Sequence, residues 1–165
     1  MRVYVESILN CPPRRIWDAL QMPSSLLKII RPLFRFEPLP GETFPDRWVE
    51  GDTIVCRGYV FGLFAVGQHE LYLERIDQAA MQIQSREHDQ LVARWDHLIR
   101  VVDAPHGETR YSDEIEIEAG PLTIFVWLFA QMFYRHRQRK WRKIARQLAA
   151  ESSADLMSAD GLAGA

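Results

Sequence analysis

Cysteine is scarce in this chain. Cys11 and Cys56 are the only two, too few for a disulfide framework, and neither stands in a C-x-x-C or Cys/His spacing that would hold zinc. Arg57 beside Cys56 is too little to make a nucleophile. There is no Gly-rich phosphate loop, no Ser/His/Asp elbow and no HExxH motif, so neither a cofactor nor a metal is expected. An excess of one charge is also missing: Lys plus Arg number 20 and Asp plus Glu 22, a net charge of −2, which speaks against nucleic acid as a partner. Long hydrophobic runs are missing too. The longest, from Leu122 to Tyr134, is broken by Thr123 and Gln131 and is too short to span a bilayer. The opening Met1-Arg2-Val3-Tyr4-Val5-Glu6 lacks the apolar core of a signal peptide. The expectation from these absences is a cytoplasmic protein.

What is present is a chain of 165 residues, 47% hydrophobic and 25% charged, the composition of one globular domain. Strand patterning predicts an element over Arg2–Leu9. Asn10-Cys11-Pro12-Pro13 offers a cap residue and prolines for a first helical turn, so a helix should run to about Leu20. Met22-Pro23-Ser24 breaks it and opens a second short helix through Ile30. Six strands are predicted next: Phe34–Leu39, Thr53–Phe61, Ala65–Ile76, Ala80–Glu87, Leu91–Val102 and Thr109–Ala119. Pro38 to Asp46 is a loop, and the last four strands are joined by short turns. A long helix follows from about Ile124 to Ala150, and Glu151–Ala165, small, polar and glycine-containing, reads as a disordered tail. Strands joined by tight turns form an antiparallel meander. One long helix over such a sheet makes an α+β layer structure with a concave space between the two.

The segment RWDHLIRVVDAPHGETRYSDEIEIEAG (Arg94 to Gly120), followed by a long helix, resembles the START-like (SRPBCC) superfamily, which includes polyketide cyclases and lipid-transfer proteins. The opening VYVESILNCPPRRIWDAL, with Ile16-Trp17 on a Pro-started helix, is similar to that family's usual beginning. The likeness covers residues 1 to about 148 in element order and implies a helix-grip domain over residues 1–150: a curved antiparallel sheet wrapped around a C-terminal helix, with a hydrophobic ligand cavity. It implies no reaction, because the superfamily holds both enzymes and binders.

Strand alternation says which residues face that cavity. A turn centred near Pro105 pairs Trp95 with Ile115, His97 with Asp113 and Ile99 with Tyr111. These odd-numbered positions are mostly apolar, whereas Arg94, Asp96, Arg100, Glu114, Glu116 and Glu118 are polar. His97 and Asp113 therefore oppose each other on the inner face and are candidates for an acid/base pair. A turn near Gln78 likewise pairs His69 with Glu87 and Leu73 with Ile83, with Leu71 also facing inward. Pairing through a turn near Asp89 would set His97 beside Met81, six residues from Glu87. The two His/carboxylate pairs would then lie roughly 20 Å apart, which excludes one shared metal site.

On a helical wheel Val126, Ala130, Phe133, Tyr134, Trp141, Ile144 and Leu148 share one face, with Arg137 in its middle. Arg137 should reach the level of His97 and Asp113. The basic run Arg135-His136-Arg137-Gln138-Arg139-Lys140-Trp141-Arg142-Lys143 reads mainly as a solvated face, balanced by Glu114, Glu116 and Glu118, with peripheral contact to an anionic membrane as the alternative. Ile124 to Phe129 is apolar on all sides, more than one core face needs, which suggests a homodimer patch or a cavity entrance. The reading favoured is a binder of a small hydrophobic or amphipathic, lipid- or polyketide-like molecule. Its cavity wall would be Leu71, Leu73, Trp95, Ile99, Tyr111, Ile115, Phe133 and Tyr134, with His69, Glu87, His97, Asp113 and Arg137 as polar anchors. The alternatives are an aromatase/cyclase-like enzyme using His97 and Asp113, and a non-catalytic partner-binding or membrane-peripheral module.

Overall fold

The computed structural model describes the backbone of residues 1–162 and the side chains of residues 1–151. The elements are β1 (Arg2–Leu9), α1 (Pro13–Leu20), α2 (Pro23–Ile29), β2 (Phe34–Pro38), β3 (Thr53–Val60), β4 (Phe64–Asp77), β5 (Gln82–Asp89), β6 (Arg94–Ala104), β7 (Glu108–Glu118) and α3 (Thr123–Leu162). All seven strands pair antiparallel in one sheet of order β1-β7-β6-β5-β4-β3-β2. This is the α+β, helix-grip architecture expected from the sequence.

The short helices are set by proline. Pro13 and Pro23 each take a first helical position, where the missing N–H costs nothing. Asn10 does not act as the cap: Pro12 occupies the N-cap position of α1, and no side chain caps it. α1 buries Ile16, Trp17, Ala19 and Leu20. The Trp17 indole donates to Gln78 Oε1 at 2.7 Å, and Gln78 Nε2 donates to Gln21 Oε1 at 2.8 Å, which ties α1 to the β4–β5 turn.

α3 lays Ala130, Phe133, Tyr134, Arg137, Gln138, Trp141 and Ala145 against the sheet as a stripe at three- and four-residue spacing. It continues to Leu162, past the end expected near Ala150. No proline or glycine interrupts the chain between Gly120-Pro121 and Gly161, so nothing local stops the helix. Of the tail expected over Glu151–Ala165, residues 163–165 lie outside the described residues.

Strand parity is as the sequence predicts, but the registers differ. The β6–β7 turn is a three-residue 3-10 turn, Pro105–Gly107, with His106 and Gly107 at positive φ (65° and 73°). Its centre is His106, not Pro105. Moving a hairpin centre by one residue slides the pairing by two, so every side chain keeps its face. Trp95 thus opposes Ile117, His97 opposes Ile115 and Ile99 opposes Asp113. In β4–β5 a bulge between Leu73 and Arg75 places Leu73 opposite Ser85, Leu71 opposite Glu87 and His69 opposite Asp89.

The β5–β6 turn is centred near Leu91, so His97 opposes Ser85 and not Met81. Phe34 rests against β3 at Gly58, where a Cβ would come within 3.0 Å of its ring and 2.9 Å of Val66.

Trp17 is fully buried at the junction of α1 and the sheet. Trp17→Ala should lower the unfolding free energy by about 3–5 kcal/mol in a denaturant titration.

Candidate functional site

Between the concave face of the sheet and α3 lies a cavity of about 350 Å³. This is within the roughly 300–1,000 Å³ typical of small-molecule sites. Its apolar wall includes Leu71, Leu73, Ile83, Ile99, Trp95, Phe133 and Tyr134. Phe34, Phe36 and Trp48 also line it, from segments the strand-pairing argument did not reach. At the mouth stand Leu122, Phe125, Val126 and Phe129 from the start of α3. Phe129 meets Phe61 of the β3–β4 turn edge to face, with ring centroids 6.2 Å apart. Of the apolar start of α3, Phe125, Val126 and Phe129 line the cavity, whereas Ile124 and Leu128 do not and are exposed.

Polar side chains gather on one part of the wall: His69, Ser85, Glu87, Asp89, His97 and Arg137. From the sequence the two His/carboxylate pairs are expected roughly 20 Å apart. The structure instead brings them together, because Ser85, only two residues from Glu87, is the cross-strand neighbour of His97. His69 Nε2 lies 3.0 Å from Glu87 Oε2, and its Nδ1 lies 3.4 Å from Asp89 Oδ2. Ser85 Oγ donates to Glu87 Oε1 at 2.6 Å. His97 Nδ1 is 4.0 Å from the same Glu87 oxygen, and its Nε2 is 2.9 Å from Asp113 Oδ1. Glu87 is thus the link between the two histidines. Among the described residues, no three His, Cys, Asp or Glu side chains form a metal-holding group.

Asp113, Tyr111 and Ile115, expected to line the cavity, lie behind its wall and are fully buried. The reason is that β7 lies beneath α3 and between β1 and β6, so its inward side chains meet the helix and not the open space. Asp113 still governs the site from there. Besides His97 it accepts a hydrogen bond from the Tyr111 hydroxyl at 3.1 Å and one from Gln138 Nε2 at 2.7 Å. Arg137 Nε lies 3.5 Å from Asp113 Oδ1, and Arg137 Nη2 donates to the Tyr111 hydroxyl at 3.2 Å. Arg137 lies where the helical wheel puts it, whereas Gln138 was not expected here; its position one residue further along the helix is the only sequence signal for it.

The electrostatics follow from burial and pairing. Burial alone would raise the Asp113 pKa, but the Arg137 charge and the His97 hydrogen bond outweigh it and hold the carboxyl below its ordinary value. For His69, burial opposes the charge, yet hydrogen bonds to Asp89 and Glu87 prevail and raise its pKa to about 9. Glu87 and Asp89 are held low by the same contacts against their own burial. His69 is therefore an imidazolium between two carboxylates near neutrality. Cys56 is a buried thiol, pushed up to about 12 by burial and by the nearby Glu87, so it is no nucleophile.

The basic run on α3 does not meet the acidic strand expected to balance it. Glu114 pairs with Arg2 and Arg100, and Glu118 with Arg94, all on the outer face of the sheet. α3 packs on the inner face. Arg135, Arg139, Arg142 and Lys143 are exposed, and Arg142 reaches Ser7 Oγ at 2.9 Å. No helix among the described residues is long and apolar enough to cross a membrane.

A family model for a domain of unknown function, DUF8410, matches residues 7–145. The chain belongs to this family. No curated protein matches it. Among solved structures, a START superfamily protein from Mycobacterium smegmatis is 12% identical, with 89% of this chain and 98% of that one covered and a TM-score of 0.67. Norcoclaurine synthase from Thalictrum flavum, in complex with dopamine and hydroxybenzaldehyde, is 14% identical over 89% and 87% of the two chains, with a TM-score of 0.66. Zhui aromatase/cyclase from Streptomyces sp. R1128 is 14% identical over 89% and 94%, with a TM-score of 0.60. At these identities the likeness shows the fold: this DUF8410 protein has the START-like fold.

The His69 cluster predicts a pH signature. The folded-state pKa lies above the unfolded value of 6.5, so its stabilisation is complete below pH 6.5 and is lost as pH rises toward 9. The loss should be of order 3 kcal/mol. Glu87 and Asp89, shifted down, lose theirs instead as pH falls through the carboxylate range. Denaturant titrations across pH 6.5–9 should show stability falling, and His69→Gln should flatten that slope.

Proposed function

We propose that this protein binds a small, mostly hydrophobic or amphipathic molecule between the sheet and α3, with its polar part turned toward the His69, Glu87 and His97 side of the cavity. The observation that carries this reading is the cavity itself: about 350 Å³, apolar over most of its wall, with ionisable groups confined to one part. Its START-like fold supports the reading, and among its neighbours one is an aromatase/cyclase and another is seen with two small aromatic molecules. Lipid-like and polyketide-like bodies both suit such a wall.

A second reading, a cyclase-like enzyme, is favoured by one specific contact. His97 lines the cavity while its Nε2 meets Asp113 at 2.9 Å, so Asp113 fixes the tautomer and Nδ1 is free to exchange a proton. The exposed apolar entrance and the basic stretch of α3 support a further proposal, contact with a second copy or with an anionic membrane surface.

Native mass spectrometry of the purified protein should reveal a co-purifying small molecule, and a consistently empty protein would count against the binding reading. With that molecule in hand, His97→Gln separates the two readings. Anchoring alone predicts a loss of about 1 kcal/mol in affinity, whereas proton transfer predicts a fall in turnover of roughly 10²- to 10⁴-fold with little change in affinity. For the basic face, Arg139→Glu with Lys143→Glu should leave ligand uptake unchanged. A loss of binding to anionic liposomes in the same variant would establish the membrane contact.

A further inference from the structure

One gap in the polar cluster bears on the ligand's polar group, an inference that rests on the cavity binding proposed above. Both nitrogens of His69 are engaged by carboxylates. In His97 only Nε2 is engaged, by Asp113. His97 Nδ1 makes no hydrogen bond among the described residues and faces Glu87 Oε1 across 4.0 Å, too far for a direct bond. Both residues line the cavity. An oxygen atom about 2.8 Å from each would sit about 2 Å off the line joining them, on the cavity side. The geometry points to this gap as the seat of a hydroxyl group on an otherwise apolar ligand, an alcohol or a phenol.

The chemistry of the two atoms selects that group. Asp113 accepts from Nε2, so in neutral His97 the facing Nδ1 is an acceptor, and in the imidazolium it is a donor. Glu87 Oε1 is an acceptor in either case, already receiving the Ser85 hydroxyl at 2.6 Å with a lone pair to spare. Beside the imidazolium a hydroxyl completes the site, accepting from Nδ1 and donating to Glu87 Oε1; beside the neutral ring its single proton serves Nδ1 or Glu87, not both. A ketone can only accept, so it would set its oxygen against the Glu87 carboxylate. A carboxylate would add a fourth negative charge to Glu87, Asp89 and Asp113, whose two cations, His69 and Arg137, are already paired with them. An amine suits only the neutral imidazole. The neighbouring rings favour a flat body behind the hydroxyl: Tyr134 stands edge-on to His97 with centroids 5.0 Å apart, and Trp95 lies 6.0 Å from Tyr134.

The test uses the full chain and three probes of one shape: naphthol, methylnaphthalene and naphthoate, substituted at the same ring position and titrated by calorimetry near neutral pH. Naphthol should bind roughly tenfold tighter than methylnaphthalene, the scale of a hydrogen bond to a charged group, and naphthoate should bind most weakly. Nitrogen NMR of His97 should shift with naphthol and not with methylnaphthalene. Glu87→Gln should shrink the naphthol advantage to less than about threefold while leaving methylnaphthalene within about twofold. Equal affinity for naphthol and methylnaphthalene, or tightest binding of naphthoate, would overturn the hydroxyl seat while leaving the cavity reading intact. Failure of all three probes to bind would overturn the cavity reading and the hydroxyl seat with it.

Discussion

A carboxylate with no access to water must be surrounded by donors, because leaving it bare costs several kcal/mol. Asp113 is such a group, and its donors come from three separate elements. His97 comes from β6, Tyr111 from its own strand and Gln138 from α3, which also sets the Arg137 charge 3.5 Å away. The contact fixes the height and the rotation of the helix over the sheet at once. A helix slid by one turn would carry Gln138 and Arg137 about 5.4 Å away and strand the charge. With the helix so placed, Phe133 and Tyr134 roof the open part of the sheet. The cavity is the space left where inward side chains of β4, β5 and β6 face a helix that is held in place further over, at β7.

The same contact orients His97. Because one imidazole nitrogen is spent on Asp113, the other is turned to Glu87 and the cavity. Tyr111, fully buried, has its hydroxyl pushed far up in pKa by that burial, against the Arg137 charge, so it serves as a neutral donor to Asp113. The polar network therefore has two layers. A buried one binds the helix, and an accessible one faces the ligand space, with His97 belonging to both.

Much of this was readable in the residues, and the failures are instructive. Strand parity placed His69, Glu87, His97 and Asp113 on the inner face, because alternation of apolar and polar residues depends only on side-chain period. Register was not readable in the same way. It depends on where each turn centres, and the centres go with positive φ at His106 and Met81, a bulge beside Glu74 and, at β5–β6, the Asp89 carboxylate accepting from the Leu91 and Val92 amides. The error was largest at β5–β6, where it separated histidines that in fact share Glu87. Phe34 and Phe36 were missed as lining residues because a strand at the far edge of the sheet carries no sequence sign of how far it curls. Fold likeness could not repair these points, since neighbours at 12–14% identity speak to architecture and not to particular side chains.

The pairing of β1 with β7 has a consequence for how the molecule forms. The hydrogen bond from Met1 to Ile117 spans 116 residues, and all of β1 pairs with β7, the last strand described. During synthesis the β2–β6 meander can assemble hairpin by hairpin through local contacts, whereas β1 has no sheet partner until β7 emerges. Such long-range closure is entropically costly and slow. In the interval, inward residues such as Val3 and Leu9 lack the strand that buries them, and chaperone capture or intermolecular strand pairing competes for the same edge.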